Sequence, residues 1–251
     1  MGQATHWDNI AQIGNTHFTT SPGADRNWNL YYFSVYTRIV RAMLAGEARG
    51  TVLDCGTSFG EWLPFLREEG FQRVVGAEID PGRAAEAVRR GYDDVFVGDA
   101  ADAPYPDGTV DVVVSNDVFV HILDMGDKLR VLRRMHELLK PGGAMVFNHA
   151  SSLAFHPSPE YLVSGYCSFI SLDDLTRLVH DETDFRIEDV QPTYRQWRTR
   201  PAPLPVKVSR RLMPTPLGPL AARLADRLTS SRTLPVEESD AFYLKLRKVG
   251  G

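Results

Sequence analysis

The chain has 251 residues, with 28 Lys+Arg against 32 Asp+Glu, a formal net charge of −4, and 43% hydrophobic and 24% charged residues. These values describe a folded globular chain and exclude a disordered one, and the length favours one large domain, with or without a small elaboration, over two equal ones. No run of about 18 apolar residues exists, the start MGQATHWDNIAQ lacks a basic stretch followed by an apolar core, and Cys55 and Cys167 are too few for a disulfide framework or a four-thiolate zinc site. A cytoplasmic protein is therefore expected.

Residues 1–26 are polar and irregular, broken by Gly14, Pro22 and Gly23. From Asn27 to Leu44, apolar residues at Tyr32, Val35, Tyr36, Ile39, Val40 and Met43 recur at helical spacing, and Gly46 and Gly50 close the element. An alternation of about 100 residues follows. TVLD (Thr51–Asp54) is a short buried strand, then come a glycine turn and a helix near Glu61–Glu69. RVVGAE (Arg73–Glu78) is a second strand, followed by a helix over Pro81–Arg90 with proline in its first turn. Asp94–Val97 is a third strand, and VDVVVS (Val110–Ser115) a fourth, apolar on both faces as a doubly covered sheet requires. A helix over Asp127–Leu139 stops at Lys140-Pro-Gly-Gly143, and AMVFN (Ala144–Asn148) is a fifth strand. Beyond it, Ser171-Leu-Asp-Asp174 caps a helix to about His180, Arg186–Tyr194 alternates like a strand, and AFYLKLR (Ala241–Arg247) is a last strand. Strand and helix alternating at this pitch predict an α/β fold: a doubly wound, mostly parallel seven-stranded sheet with helices on both faces and an antiparallel last strand. The expected divisions are an N-terminal helical or lid segment (1–50), the core (51–194), a basic Pro-rich insert (195–240) and the final strand (241–251).

In an open α/β sheet the ligand sits beyond the carboxyl ends of the strands, where the chain order reverses. Four strand ends carry polar signals there. In Asp54-Cys-Gly-Thr-Ser-Phe-Gly60, Gly56 and Gly60 permit a tight turn and a close approach of ligand to backbone. Glu78 ends the next strand, where an acid takes two ribose hydroxyls. Asp99-Ala100 follows the third strand, where a carboxylate and a backbone N–H read an adenine edge. Asn116 follows the fourth.

With these segments the sequence resembles the class I S-adenosylmethionine-dependent methyltransferases. VLDCGTSFG looks like their first motif and VVGAEIDP like their acidic second-strand motif. VGDAADAPYPDGTVDVVVSNDVFVHI looks like their third and fourth strands, and LRRMHELLKPGGAMVFN like the turn into the fifth. The resemblance implies S-adenosylmethionine as cofactor, held at its methionine part by Asp54, Gly56, Thr57 and Gly60, at its ribose by Glu78 and at its adenine by Asp99 and Ala100, with Asn116 beside them. One departure stands out: the family loop commonly carries a middle glycine where this chain has Ser58. A Rossmann-like domain that binds a cofactor or nucleotide without methyl transfer, as an interaction or regulatory subunit or in non-methylating chemistry, is the alternative. Gly-x-Gly-x-x-Gly read from Gly56 fails at Ser58 and Glu61, and no Gly-Lys-Ser/Thr follows the first strand, which disfavours an NAD site and excludes a P-loop.

Methyl transfer from a sulfonium needs an aligned acceptor, and a hydroxyl acceptor benefits from a base. His149 past the fifth strand and His121 in VFVHI are the catalytic candidates, with Asp117 and the loop residue His156 as further ones; His136 reads as a surface residue. No His-x-x-x-His spacing exists, so no metal is expected. Ser115-Asn116-Asp117-Val118 is not the Asn/Asp-Pro-Pro-Tyr/Phe signature of amino-methyltransferases that grip a planar nitrogen, which argues against DNA adenine or glutamine methylation and leaves small molecules, sugars and lipids; a hydroxyl of a secondary metabolite, sugar or glycolipid is the expected acceptor.

Two elements are expected to shape the acceptor pocket. The first holds Trp7, His17, Phe18, Trp28, Tyr31 and Tyr32. The second is the insert, in a stretch (Arg195–Arg232) with nine basic residues against one acid, Asp226, so that the rest of the chain is at −12. Within it Leu217, Leu220, Leu224 and Leu228 share a helical face beside Arg223 and Arg227. A solvated cationic face over a small core contact, a lid or homodimer element, and a peripheral membrane or anionic-substrate contact through 195–232 are the readings open for it.

Overall fold

In the computed structural model, β4 (Val110–Ser115) is buried along its whole length, the pattern expected of a central strand built from VDVVV. The structure describes residues 23–151, 167–193, 207–208, 211–212, 215–228 and 235–249. Around β4 lie β1 (Thr51–Cys55), β2 (Arg73–Glu78), β3 (Asp94–Val97), β5 (Leu139–Ala150), β6 (Phe185–Pro192) and β7 (Ala241–Lys248), in the order β3-β2-β1-β4-β5-β7-β6. The strands from β3 through β5 pair in parallel, and β7 runs antiparallel to both β5 and β6. This is the doubly wound sheet predicted from the alternation of elements.

Helices cover both faces. On one side, α1 (Gly23–Met43), α2 (Leu63–Glu68), α3 (Pro81–Arg90) and α6 (Gly218–Leu228) pack through Val35, Ile39, Leu66, Ala87 and Ala222 onto Val52, Val74, Val112 and Val114. On the other, α4 (Met125–Leu138) and α5 (Leu172–Glu182) bring Val131, Leu132, Met135, Leu175 and Val179 onto Leu53, Val113, Met145 and Phe147. Alternate strand residues feed opposite cores, as the two-residue period of a strand requires.

Several boundaries differ from those read in the sequence. Helix α4 begins two residues earlier than predicted because the Asp124 carboxylate accepts from the Asp127 N–H at 3.1 Å and caps it. Strand β5 starts at Leu139, directly out of α4, and runs on to Ala150. Its ends are set by partners far away in sequence: Leu139 faces Val110, and His149 and Ala150 face Phe242 and Ala241. The Ser171 hydroxyl caps α5 as read, accepting from the Asp174 N–H at 3.1 Å. Helix α6 docks on α1 by its alanines, Ala221, Ala222 and Ala225, while Leu220 and Leu224 are exposed. Trp7, His17, Phe18 and His156 lie outside the described residues.

Candidate functional site

The crossovers from β1 and β4 leave in opposite directions, so a crevice opens at the carboxyl ends of these two adjacent strands. A cleft sits there, lined by the loops after β1, β2, β3 and β4 and closed on one side by Phe33 and Tyr36 of α1 and by Trp62.

The loop after β1 is shaped by close approaches. Gly56 has φ +88, and a Cβ on it would fall 2.1 Å from Cγ2 of Val118, so only glycine fits. A Cβ at Gly76 would fall 2.1 Å from Cγ2 of Thr57, so this β2 glycine makes room for the loop threonine. Ser58 takes the left-handed conformation, φ 48, at the position where the family loop commonly has glycine. Its N–H donates to Oε2 of Glu78 at 2.8 Å, and the Asp80 N–H donates to Oε1 at 3.0 Å. Burial raises the Glu78 carboxyl above the ordinary carboxylate range, and these two N–H groups oppose the rise. Two accepting sites remain on the carboxylate for hydroxyls in the cleft.

Asp54 lies behind the lining residues. Tyr92 Oη donates to its Oδ2 at 2.5 Å, while Oδ1 is buried with no hydrogen-bond partner among the described residues. Complete burial, with the carboxylates of Glu78 and Glu61 nearby, pushes Asp54 up to about 7 in spite of the Tyr92 bond. Gly60 also stands back from the cleft: a Cβ there would lie 3.1 Å from Cα of Ala87 in α3, so this glycine serves helix packing. The other positions to which the family resemblance assigned cofactor contacts, Gly56, Thr57, Glu78, Asp99, Ala100 and Asn116, do line the cleft. Asp99 accepts from the Ala101 N–H at 2.9 Å and so caps the short turn Ala100–Asp102. Ala100, Ile79, Ile122 and Val131 make the wall there apolar.

The end of β4 carries a second cluster. Asn116 Oδ1 accepts from Tyr243 Oη at 2.6 Å, and its buried Nδ2 has no partner among the described residues. Asp117, at φ 55, is locked to Asn148 twice: its N–H donates to Oδ1 of Asn148 at 2.6 Å, and Nδ2 of Asn148 donates to Oδ1 of Asp117 at 2.6 Å. Tyr36 Oη points at the same carboxylate oxygen from 3.4 Å. Desolvation raises the Asp117 carboxyl above its ordinary range, against the two donors.

Of the two histidines singled out for chemistry, His121 lines the cleft, with Sγ of Cys167 3.6 Å from its Nδ1. His149 does not. Strand alternation carries Asn148 to the cleft side and His149 to the opposite face, where it is 1% exposed. Burial, helped by the Lys128 cation, lowers His149 to about 3 and holds its ring neutral. Its predicted place at the rim assumed that β5 ends at Asn148. His136 is also misread as a surface residue: its ring meets Phe185 edge-on at 4.8 Å, and burial lowers its pKa.

Sequence reading passed over Tyr92, which reaches Asp54 from 38 residues away, and Lys128. The Lys128 ammonium is buried, donates to the carbonyls of Phe119 and Ile122 and, at 2.8 Å, to Ser168 Oγ, and thereby holds the turn that carries His121. A signal existed: Lys128 sits at helical spacing with Val131, Leu132 and Met135 on the apolar face of α4.

A family model described as a methyltransferase domain matches residues 28–190. A probable S-adenosylmethionine-dependent methyltransferase of Mycolicibacterium smegmatis is 26% identical over 174 residues, 68% of this chain and 64% of that protein. Phosphoethanolamine N-methyltransferase 3 of Arabidopsis thaliana is 29% identical over 117 residues, 45% of this chain and 23% of that protein. The chain thus spans less than two thirds of the length of both curated relatives. Among solved structures, Haemonchus contortus phosphoethanolamine N-methyltransferase 2, in complex with phosphomonomethylethanolamine and S-adenosylhomocysteine, shares the fold with a TM-score of 0.64 at 15% identity, over 100% of this chain and 61% of that one.

Proposed function

Because the chain belongs to the class I S-adenosylmethionine-dependent methyltransferases, we propose that it moves a methyl group from S-adenosylmethionine to a hydroxyl of a small molecule, with Asp117 receiving the hydroxyl proton. The observation that carries this reading is Asp117 itself: a carboxylate facing the cleft, immobilised by Asn148 and made more basic by desolvation. A hydroxyl becomes a competent nucleophile when a positioned base takes its proton, and a raised carboxylate suits that task.

The cleft fits the cofactor. Glu78 has two accepting sites left for ribose hydroxyls, Asp99 and the Ala100 backbone face the adenine end, and the apolar wall of Ile79, Ile122 and Val131 receives the base. Asn116 Nδ2, Thr57 and the Gly56 backbone receive the methionine part, and the carboxylates of Glu61 and, behind it, Asp54 supply negative charge opposite its cationic groups. When bound, S-adenosylmethionine supplies an activated methyl group; the chain holds it, excludes water with Phe33, Tyr36 and Trp62, and orients the acceptor.

The test is turnover with a panel of hydroxylated and aminated small molecules, read as a mass gain of about 14 daltons, with the Asp117→Asn variant alongside. Asparagine keeps an oxygen for Asn148 and loses the base. A fall in kcat of about 10²–10³-fold with cofactor affinity kept within about twofold is the expected result. Unchanged turnover in that variant removes Asp117 from the chemistry and leaves His121 as the cleft's base.

An amine acceptor is the second reading. It is favoured by the aromatic side chains of Phe33, Tyr36 and Trp62 lining the same cleft, with Tyr36 Oη 3.4 Å from the Asp117 carboxylate, a setting that suits an ammonium, and by the phosphoethanolamine N-methyltransferase among the relatives. Methylated amines and no methylated hydroxyls from the panel would select it.

A further inference from the structure

Helix α6 is amphipathic in an unusual sense. Its small apolar residues, Ala221, Ala222 and Ala225, turn inward onto α1, and Leu220 and Leu224 turn outward: Leu217 just before the helix is 55% exposed, Leu220 66% and Leu224 44%. Spaced by three and four residues, these leucines form one stripe. Val208, 47% exposed, lies in the preceding segment.

Residues 207–228 carry five basic side chains against one acid. Lys207, Arg211 and Arg227 are exposed. The one acid of residues 207–228, Asp226, is turned the other way, where it accepts from Ser34 Oγ at 2.7 Å and pairs with Arg38 at 2.9 Å. Solvent therefore meets the leucine stripe with Arg227 exposed on the same helix and Lys207 and Arg211 exposed in the segment before it, on a chain that stands at −12 outside Arg195–Arg232.

We propose that the outer face of α6 seats this protein on an anionic lipid surface. The leucines would dip below the headgroups while Lys207, Arg211 and Arg227 stay at phosphate level, their aliphatic stems lying along the apolar layer. Charge complementarity selects this occupant over a second copy of the chain, since two such faces brought together oppose cation to cation. Attachment is peripheral in kind: no helix among the described residues is long and apolar enough to cross a membrane. The inference does not depend on the acceptor chemistry proposed above.

The experiment is co-sedimentation of the full chain with vesicles of phosphatidylcholine containing about one third phosphatidylglycerol, and with phosphatidylcholine alone. Binding to the anionic vesicles, weakened by added salt, is expected, with little binding to the neutral ones. The Leu220→Ser/Leu224→Ser double variant should partition about tenfold less, with an unchanged thermal midpoint because both side chains are exposed. A Lys207→Gln/Arg211→Gln/Arg227→Gln variant should lose most of the salt dependence. Absence of binding to anionic vesicles overturns the proposal, as does binding that the leucine variant leaves intact. A concentration-dependent dimer in analytical ultracentrifugation that the leucine variant abolishes overturns it in favour of an interface between copies.

Discussion

Asp54 is buried on a strand beside two other carboxylates, and its chemistry sets a dependence on pH. Its folded pKa of about 7 lies above the ordinary 3.8, so the folded chain holds a proton there that the unfolded chain releases. The contribution to stability is complete below the ordinary value and is lost as pH rises through about 7. Asp54→Asn cannot ionise and still offers an oxygen to Tyr92. At about pH 8 the ligand-free variant should melt above the wild type, by up to about 4 kcal/mol, and the gap should close toward pH 4. A bound sulfonium reverses the preference, since a cation favours the ionised carboxylate. Wild-type affinity for S-adenosylmethionine should therefore fall as pH drops through about 7, while affinity for the uncharged-sulfur product changes less. Calorimetric melting and titration at several pH values check both; a melting gap independent of pH would remove Asp54 from this balance. Ser58 illustrates a related compromise. Its left-handed backbone costs about 1–2 kcal/mol relative to glycine, and the same geometry aims its N–H at Glu78.

At the scale of elements, the strands of the parallel half were legible in the sequence because each is a short run of valine and similar residues bounded by turn residues, a local pattern. Helix starts were legible where a cap stands next to the apolar repeat, as at Ser171, and less so at Asp124, whose role depends on one hydrogen bond. The length of β5 was not legible, since its pairing with Val110 at one end and with Ala241 and Phe242 at the other is not written in its own residues. That difference places His149 on the face away from the cleft. The grip of α4 on the cleft wall was equally hidden, because Lys128 works through the carbonyls of Phe119 and Ile122. Burial lowers this lysine to about 7. Lys128→Met should destabilise the chain by about 1–3 kcal/mol, because the Phe119 carbonyl loses its ammonium donor, while the Ile122 carbonyl keeps Ser168 Oγ at 3.0 Å. Because Val118, His121 and Ile122 line the cleft on the turn it holds, cofactor affinity should fall as well. Thermal melting and titration of the variant measure the two effects, and an intact affinity in a folded variant would show that the turn stands without it.

Across the whole molecule, a net charge of −4 conceals an acidic sheet domain joined to a segment at +8, and the sequence alone shows this division. It does not show how the two meet, because the leucine stripe of α6 looks like a core face and its alanines do not; burial depends on what lies opposite. What lies opposite is α1, and α1 has two duties. Phe33 and Tyr36 line the cleft, while Ser34 and Arg38, from the same turns of helix, bind Asp226 of α6. The basic segment is thus one helix away from the cleft. Asp226→Ala leaves the part-buried Arg38 guanidinium and the Ser34 hydroxyl without this acceptor, and should lower stability by about 1–3 kcal/mol. If the seat of α1 transmits to the cleft, cofactor affinity should weaken by about two- to fivefold, a coupling below 1 kcal/mol, through Ser34 and Arg38, which bind Asp226. Titration calorimetry on the variant, beside its melting curve, separates the outcomes. A lowered midpoint with wild-type affinity would mean that α6 is fastened to the domain without bearing on the site, and an unchanged midpoint that its alanine face alone holds it.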